Sequence, residues 1–129
     1  MTELVYLFAY FTGNGEAGMR LASSNDGLRW TDVPYAEFVV APERGLMRDP
    51  FLYLGPDDRF HLIWTTNWES RDIGYASSSD LATWSEQRRL PVMKSVEGAR
   101  NCWAPEMVYD RERGGYIIFW ASTVAGMFP

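Results

Sequence analysis

The sequence is poor in the residues that build metal centres, disulfides and basic surfaces. It holds one cysteine, Cys102, and one histidine, His61. A lone cysteine excludes an internal disulfide, and no second thiol or clustered histidine completes a zinc ligand set with it. Cys102 is expected to be a buried structural thiol, because a nucleophilic thiolate needs a basic partner and His61 lies in a strand-like run away from it. Lysine is nearly missing: of 12 basic residues only Lys94 is a lysine, and the arginines are scattered. With a net charge of −5 and no basic cluster, the sequence carries no nucleic-acid footprint. Long apolar runs are also lacking. The stretch Leu4 to Phe11 is too short to span a bilayer and has neither the basic lead nor the cleavage pattern of a signal peptide, so no membrane partner is expected and the localisation is left unassigned.

Apolar residues make up 47% of the 129-residue sequence and charged residues 22%, a globular composition with material for one ordinary domain. Aromatic residues reach 16%, which suits strands or a sugar-binding surface as well as core packing.

An internal repeat organises the chain. When Met19 to Val33 is laid over Ile73 to Gln87, five of fifteen positions agree at one offset of 54: Ala22 with Ala76, Ser23 with Ser77, Ser24 with Ser78, Asp26 with Asp80, and Trp30 with Trp84. Chance gives about one. Phe60 to Thr66 resembles Tyr116 to Ser122 at an offset of 56, Tyr53 meets Tyr109, and Tyr6 to Thr12 repeats the same element earlier. Turn chemistry separates these strings, and helical periodicity is nowhere sustained.

Short strands recurring on a period near 55, about four to a unit, predict an all-β chain: a partial β-propeller of about two blades whose ring is not closed. Residues 1–40 read as a partial closing blade. Residues 41–95 form the first full blade, with strands at Asp49 to Leu54, Arg59 to Thr66, Asp72 to Ser77 and Trp84 to Arg88. Residues 96–129 start the next, with Trp103 to Asp110 and Gly115 to Thr123. Open blade edges are expected to make such a chain aggregation-prone.

Two carboxylates sit beside prolines at innermost strand starts, Asp49 in Met-Arg-Asp-Pro-Phe and Glu106 in Trp-Ala-Pro-Glu-Met. Such ends face the central channel of a propeller, where acidic side chains from several blades can act as acid and base across a glycosidic bond. The plainer reading is that both only start strands and bond local backbone. Arg48 either contacts a sugar hydroxyl, holds Asp49 ionised, or is structural. Trp103 and Trp68 read as walls for a sugar ring or as packed aromatics, whereas Trp30, Trp64, Trp84 and Trp120 recur with the period and read as blade packing. The glycine-rich Thr12 to Gly18 lacks the Lys-Ser/Thr of a phosphate loop and reads as a turn.

The strings LFAYFTGNG, MRDPF, FHLIWTT, IGYASSSDLATWSEQ, NCWAPEMVYD and YIIFWAST, in this order and spacing, resemble the N-terminal part of family 43 glycoside hydrolases, especially arabinofuranosidase-like and xylosidase-like members. The resemblance implies a five-bladed propeller and inverting hydrolysis of plant polysaccharide. It puts the general base on Asp49 and leaves the general acid and the carboxylate that tunes it downstream of Pro129, so the chain alone is expected to be inactive. Glu106 then lines the pocket with Trp103, Trp68 and Arg48. No cofactor is expected of this chain, although some relatives hold a channel calcium ion. Two other readings remain: a non-catalytic carbohydrate-binding propeller, and a fructan-cleaving five-bladed enzyme, whose Arg-Asp-Pro motif resembles Arg48 to Pro50.

Overall fold

The computed structural model describes residues 4–127. The outermost residues of the first and last predicted units, 1–3 and 128–129, lie outside these. Among the described residues nine strands form three antiparallel sheets. β1 (Tyr6–Tyr10), β2 (Arg20–Ser24) and β3 (Thr31–Asp32) make the first, and β4 (Arg48–Leu54), β5 (Phe60–Thr65), β6 (Ile73–Ser78) and β7 (Arg88–Leu90) make the second. β8 (Trp103–Asp110) and β9 (Gly115–Ala121) make the third. Strands follow one another in chain order within each sheet, and among the described residues the sheets do not close into a ring. The fold is therefore an all-β, partial propeller, as the repeat predicts.

The repeated residues earn their positions through turn chemistry. Ser24 Oγ accepts the amides of Asp26 and Gly27, while Asp26 Oδ1 accepts those of Leu28 and Arg29. Ser78 and Asp80 reproduce the same four bonds with Asp80, Leu81, Ala82 and Thr83. A pair of side chains that together cap four backbone donors stops the strand and turns it sharply, which is why Ser and Asp recur two residues apart. The amides of Arg29 and Leu28, and those of Thr83 and Ala82, hold the Asp26 and Asp80 carboxyls below the usual range.

The fourth strand of the middle sheet starts later than its sequence predicts. Trp84 makes a single bridge with Ser78, and continuous pairing begins only where Arg88 meets Tyr75. Between these pairs the register slips by one residue. There Ser85 Oγ takes the Ser77 amide, a side chain replacing a ladder contact.

The first and second sheets pack on a shared core of Met19, Leu21, Val40, Met47, Leu62, Trp64 and Ala76. Of the recurring tryptophans, Trp64 is 2% exposed within this core, whereas Trp30 is 42% exposed and leans on Phe8 with ring centroids 5.5 Å apart. The third sheet packs through β8 on β4 and β5. Its alternation puts Met107 inside and leaves Glu106, Val108, Ile117 and Phe119 on an uncovered face. Cys102 is buried and unpaired, and burial pushes its thiol up.

A polar knot joins the second and third sheets at the end where β4 finishes. His61 is 6% exposed; its Nδ1 meets the Tyr75 hydroxyl at 3.0 Å and its Nε2 lies 3.1 Å from the Tyr116 hydroxyl. Tyr116 donates to Asp57 Oδ1 at 3.2 Å, and burial together with that carboxylate pushes its hydroxyl pKa up to about 12. Nearby, the Tyr53 hydroxyl accepts the Tyr109 amide at 3.2 Å.

Within the core, Gly74 on β6 faces the Trp64 indole so closely that an added Cβ would collide with the ring. Gly74→Ala is expected to lower unfolding free energy by about 1–3 kcal/mol through overpacking. Urea denaturation followed by tryptophan fluorescence checks this.

Candidate functional site

Asp49 and Ala104 occupy equivalent points of neighbouring sheets. Pairing in the second sheet jumps from Arg48 with Thr65 to Phe51 with Ile63, and in the third from Trp103 with Ala121 to Glu106 with Phe119. Each jump holds one extra residue, a β-bulge in front of the strand body. Within the bulges Asp49 has φ +47° and Ala104 φ +46°. Non-glycine residues seldom adopt this left-handed conformation, which costs of order 1 kcal/mol or more and persists only where surroundings enforce it.

One hydroxyl ties the two bulges together. Thr65 ends β5 at 1% exposure, donates from Oγ1 to Asp49 Oδ2 at 2.8 Å and accepts the Ala104 amide at 2.9 Å. Its single proton is thus committed to the carboxylate. Among the described residues Asp49 Oδ1 accepts no hydrogen bond, so one carboxylate oxygen is fixed and the other is left for a ligand.

The registers correct one sequence reading. Asp49 and Glu106 do not hold matching positions: Asp49 precedes its proline and corresponds to Ala104, whereas Glu106 follows its proline and corresponds to Phe51. Both strands carry the bulge at the same point, so Pro50 aligns with Pro105 and the two carboxylates stand two residues apart in register, on opposite sides of the proline. Glu106 is exposed, beside Phe119 on the uncovered face of the third sheet, and makes no hydrogen bond or ion pair with Asp49, Arg48, Trp68 or Trp103.

Arg48, Trp68 and Trp103 do come together. Arg48 does not pair with Asp49. Its Nη1 donates to Asn14 O at 3.1 Å and to Asn14 Oδ1 at 2.6 Å, and its guanidinium lies 4.2 Å from the centre of the Trp68 ring and 5.2 Å from that of Phe11. Trp68 Nε1 donates to the same Asn14 Oδ1 at 2.9 Å, and Trp103 Nε1 donates to Trp68 O at 3.0 Å. The two indoles stand nearly perpendicular, 6.0 Å apart at 87°. A cation stacked on two rings and held by a fixed acceptor is a preorganised wall.

Asn14 was not legible as a site residue because it belongs to the glycine-rich turn. That turn docks on the strand start: Met47 donates to Gly15 O at 3.0 Å, and a Cβ on Gly15 would lie 2.8 Å from both Arg48 Cγ and Met47 O. Glycine is required there by contact as well as by its φ of +92°. The Gly-Asn-Gly string marks a tight turn, yet nothing local reveals a hub for Arg48 and Trp68.

The loop carrying Trp68 is stapled at its base. Thr66, Ser70 and Arg89 each donate to Asp72 Oδ1 at 2.8 Å. Burial alone would push this carboxyl up, but the bonds from Arg89, Thr66 and Ser70 outweigh it and hold Asp72 below the usual range. Among the described residues no three His, Cys, Asp or Glu side chains converge.

Residues 3–127 match a family model described as "Probable glycosyl hydrolase domain", a model related to glycosyl hydrolase family 43. No curated protein matches the chain.

Thr65→Val is expected to cost about 1–3 kcal/mol, because it strands the Ala104 amide and removes the donor to Asp49. Hydrogen exchange should show Ala104 deprotected in Thr65→Val and still protected in Thr65→Ser. Asp72 gives a pH signature. Its folded pKa is depressed, so its contribution to stability is complete above the unfolded value of about 3.9 and is lost as pH falls through the lower folded value. Chemical denaturation from about pH 5 downward should therefore show a steeper loss for the wild type than for Asp72→Asn.

Proposed function

Because the chain belongs to the glycosyl hydrolase family related to family 43, we propose that it forms part of an inverting glycoside hydrolase of the arabinofuranosidase or xylosidase type, acting on plant polysaccharide. Asp49 is the general base. The observation that carries this reading is the geometry of its carboxylate: it sits in the bulge, Thr65 fixes Oδ2, and Oδ1 accepts no hydrogen bond among the described residues.

In the reaction, Asp49 Oδ1 takes a proton from a water as that water attacks the anomeric carbon, while an acid on the opposite side protonates the departing oxygen. Water must fit between base and sugar, which sets the two carboxyls roughly 6.5–9.5 Å apart. The resemblance carries only the base onto these residues, and acid and tuner have no counterpart among them. Glu106 is not a substitute, for it lies on the uncovered face of the third sheet, in no contact with Asp49. Trp68 and Trp103 supply flat apolar surface for the CH-rich face of a sugar, and Arg48 braces Trp68 from behind.

The purified 129-residue chain is expected to show no turnover of nitrophenyl arabinofuranoside or xyloside above an Asp49→Ala control. A parent protein that supplies the acid should cleave one of them and lose about 10²-fold to 10⁴-fold in kcat on Asp49→Asn. A parent that binds oligosaccharide but cleaves none would instead be a carbohydrate-binding propeller.

A further inference from the structure

Tyr10, Trp64 and Trp120 stand at one point of the internal repeat, and each ring carries a single polar hydrogen. Tyr10 donates its hydroxyl to Asp32 Oδ1 at 2.8 Å, and Trp120 donates its indole N–H to Ser122 Oγ at 3.1 Å. Trp64 is the most buried of the three, at 2% exposure, and its Nε1 has no hydrogen-bond partner among the described residues. The repeat shows why. The counterpart of Ser122 is Thr66, whose hydroxyl turns to Ser70 Oγ and Asp72 Oδ1 instead. The indole is held against Gly74, where a Cβ would overlap both Nε1 and Cε2. A buried donor with no acceptor carries its full desolvation cost, which native folds rarely tolerate.

Trp64 forms one wall of a cavity of about 70 Å³ bounded by residues 43–44 and 86–89. These walls are tied together. Gln87 accepts the Glu43 amide at 3.0 Å and donates to Ala41 O at 2.7 Å, and Arg89 donates to Arg44 O at 3.0 Å. Size and charge narrow the occupant. Small-molecule sites run to about 300–1,000 Å³, whereas a water takes about 30 Å³, so the cavity has room for about two waters and for no sugar. Among the described residues Arg44, Arg88, Glu43 and Glu86 form no ion pair, and Arg89 is matched by Asp72. Two free charges of each sign leave no net field that favours an ion over a neutral dipole.

We infer that this cavity is an internal hydration site, in which a long-lived water accepts the Trp64 indole N–H and turns its own protons to acceptors on the 43–44 and 86–89 segments. The carboxylates of Glu43 and Glu86 are such acceptors, so the water finds the two to four polar partners that buried water needs. The water joins the middle of β5 to the connection that runs on through Leu46, whose amide donates to Thr66 O, into Arg48 and Asp49. It is a structural part of the approach to β4, whatever chemistry Asp49 performs.

The test is water-selective NMR of the isotope-labelled 129-residue chain, with the indole signals assigned by correlation to their own backbone amides. A water that stays longer than the molecule takes to tumble gives NOE and ROE peaks of opposite sign, and these are expected at the Trp64 indole proton. The indoles of Trp84 and Trp120, bonded to Leu81 O and Ser122 Oγ, should show no such pair of peaks. Gln87→Leu, a change at the rim that removes its bonds to Ala41 and Glu43, should speed hydrogen exchange of the Trp64 indole about tenfold with unchanged circular dichroism. No long-lived water at Trp64, equal peaks at all three tryptophans, or wild-type exchange in Gln87→Leu would overturn the site. A Trp64 indole shift that saturates with chloride or phosphate at fixed ionic strength would overturn the neutral occupant and assign an anion in its place.

Discussion

The hydroxyl of Thr65 is the contact on which the functional end of the molecule depends. It spans two sheets that share no backbone hydrogen bond, bonding Asp49 in one and Ala104 in the next. Both partners sit in left-handed bulges that an isolated strand would not adopt, so the bridge and the strain support each other. A fixed hydroxyl with its one proton committed gives the carboxylate a defined orientation, which the proposed role of Asp49 as general base needs more than it needs proximity to a cation. That explains why Arg48, adjacent in sequence, is free to serve elsewhere.

Around this bridge the rim is built by elements far apart in the chain. Asn14 from the first turn holds Arg48 and Trp68, and Trp68 in turn holds Trp103 through its carbonyl. The result is an aromatic surface that is exposed and yet immobilised, an arrangement suited to ligands whose hydroxyls cannot tolerate a shifting wall.

Much of the scaffold was legible because its determinants are local. The Ser and Asp that cap each turn act within five residues, so their recurrence marks the repeat directly. Asp49, Arg48, Trp68 and Trp103 could be singled out, the first by family resemblance and the others by their lack of a repeat partner or their place in the same motifs. Thr65 and Asn14 could not. Their partners lie 16 to 54 residues away, and only the meeting of sheets reveals them. The pairing of Asp49 with Glu106 failed for a different reason: with the prolines matched, the carboxylates fall two residues out of register, one inside the bulge before its proline and one in the strand body after it, and likeness of the two motifs does not separate these places.

The knot of His61, Tyr75, Tyr116 and Asp57 lies at the opposite end of β5 from Thr65. The seam between the second and third sheets is consequently pinned at both extremities, once by a threonine and once by a histidine with two phenols. Two separated pins leave only rotation about the line that joins them, and the packing of β8 on β4 and β5 opposes that rotation. Adjustment to an incoming sugar must then come from the 66–72 and 95–102 connections, and the angle between the sheets behaves as a constant of the architecture.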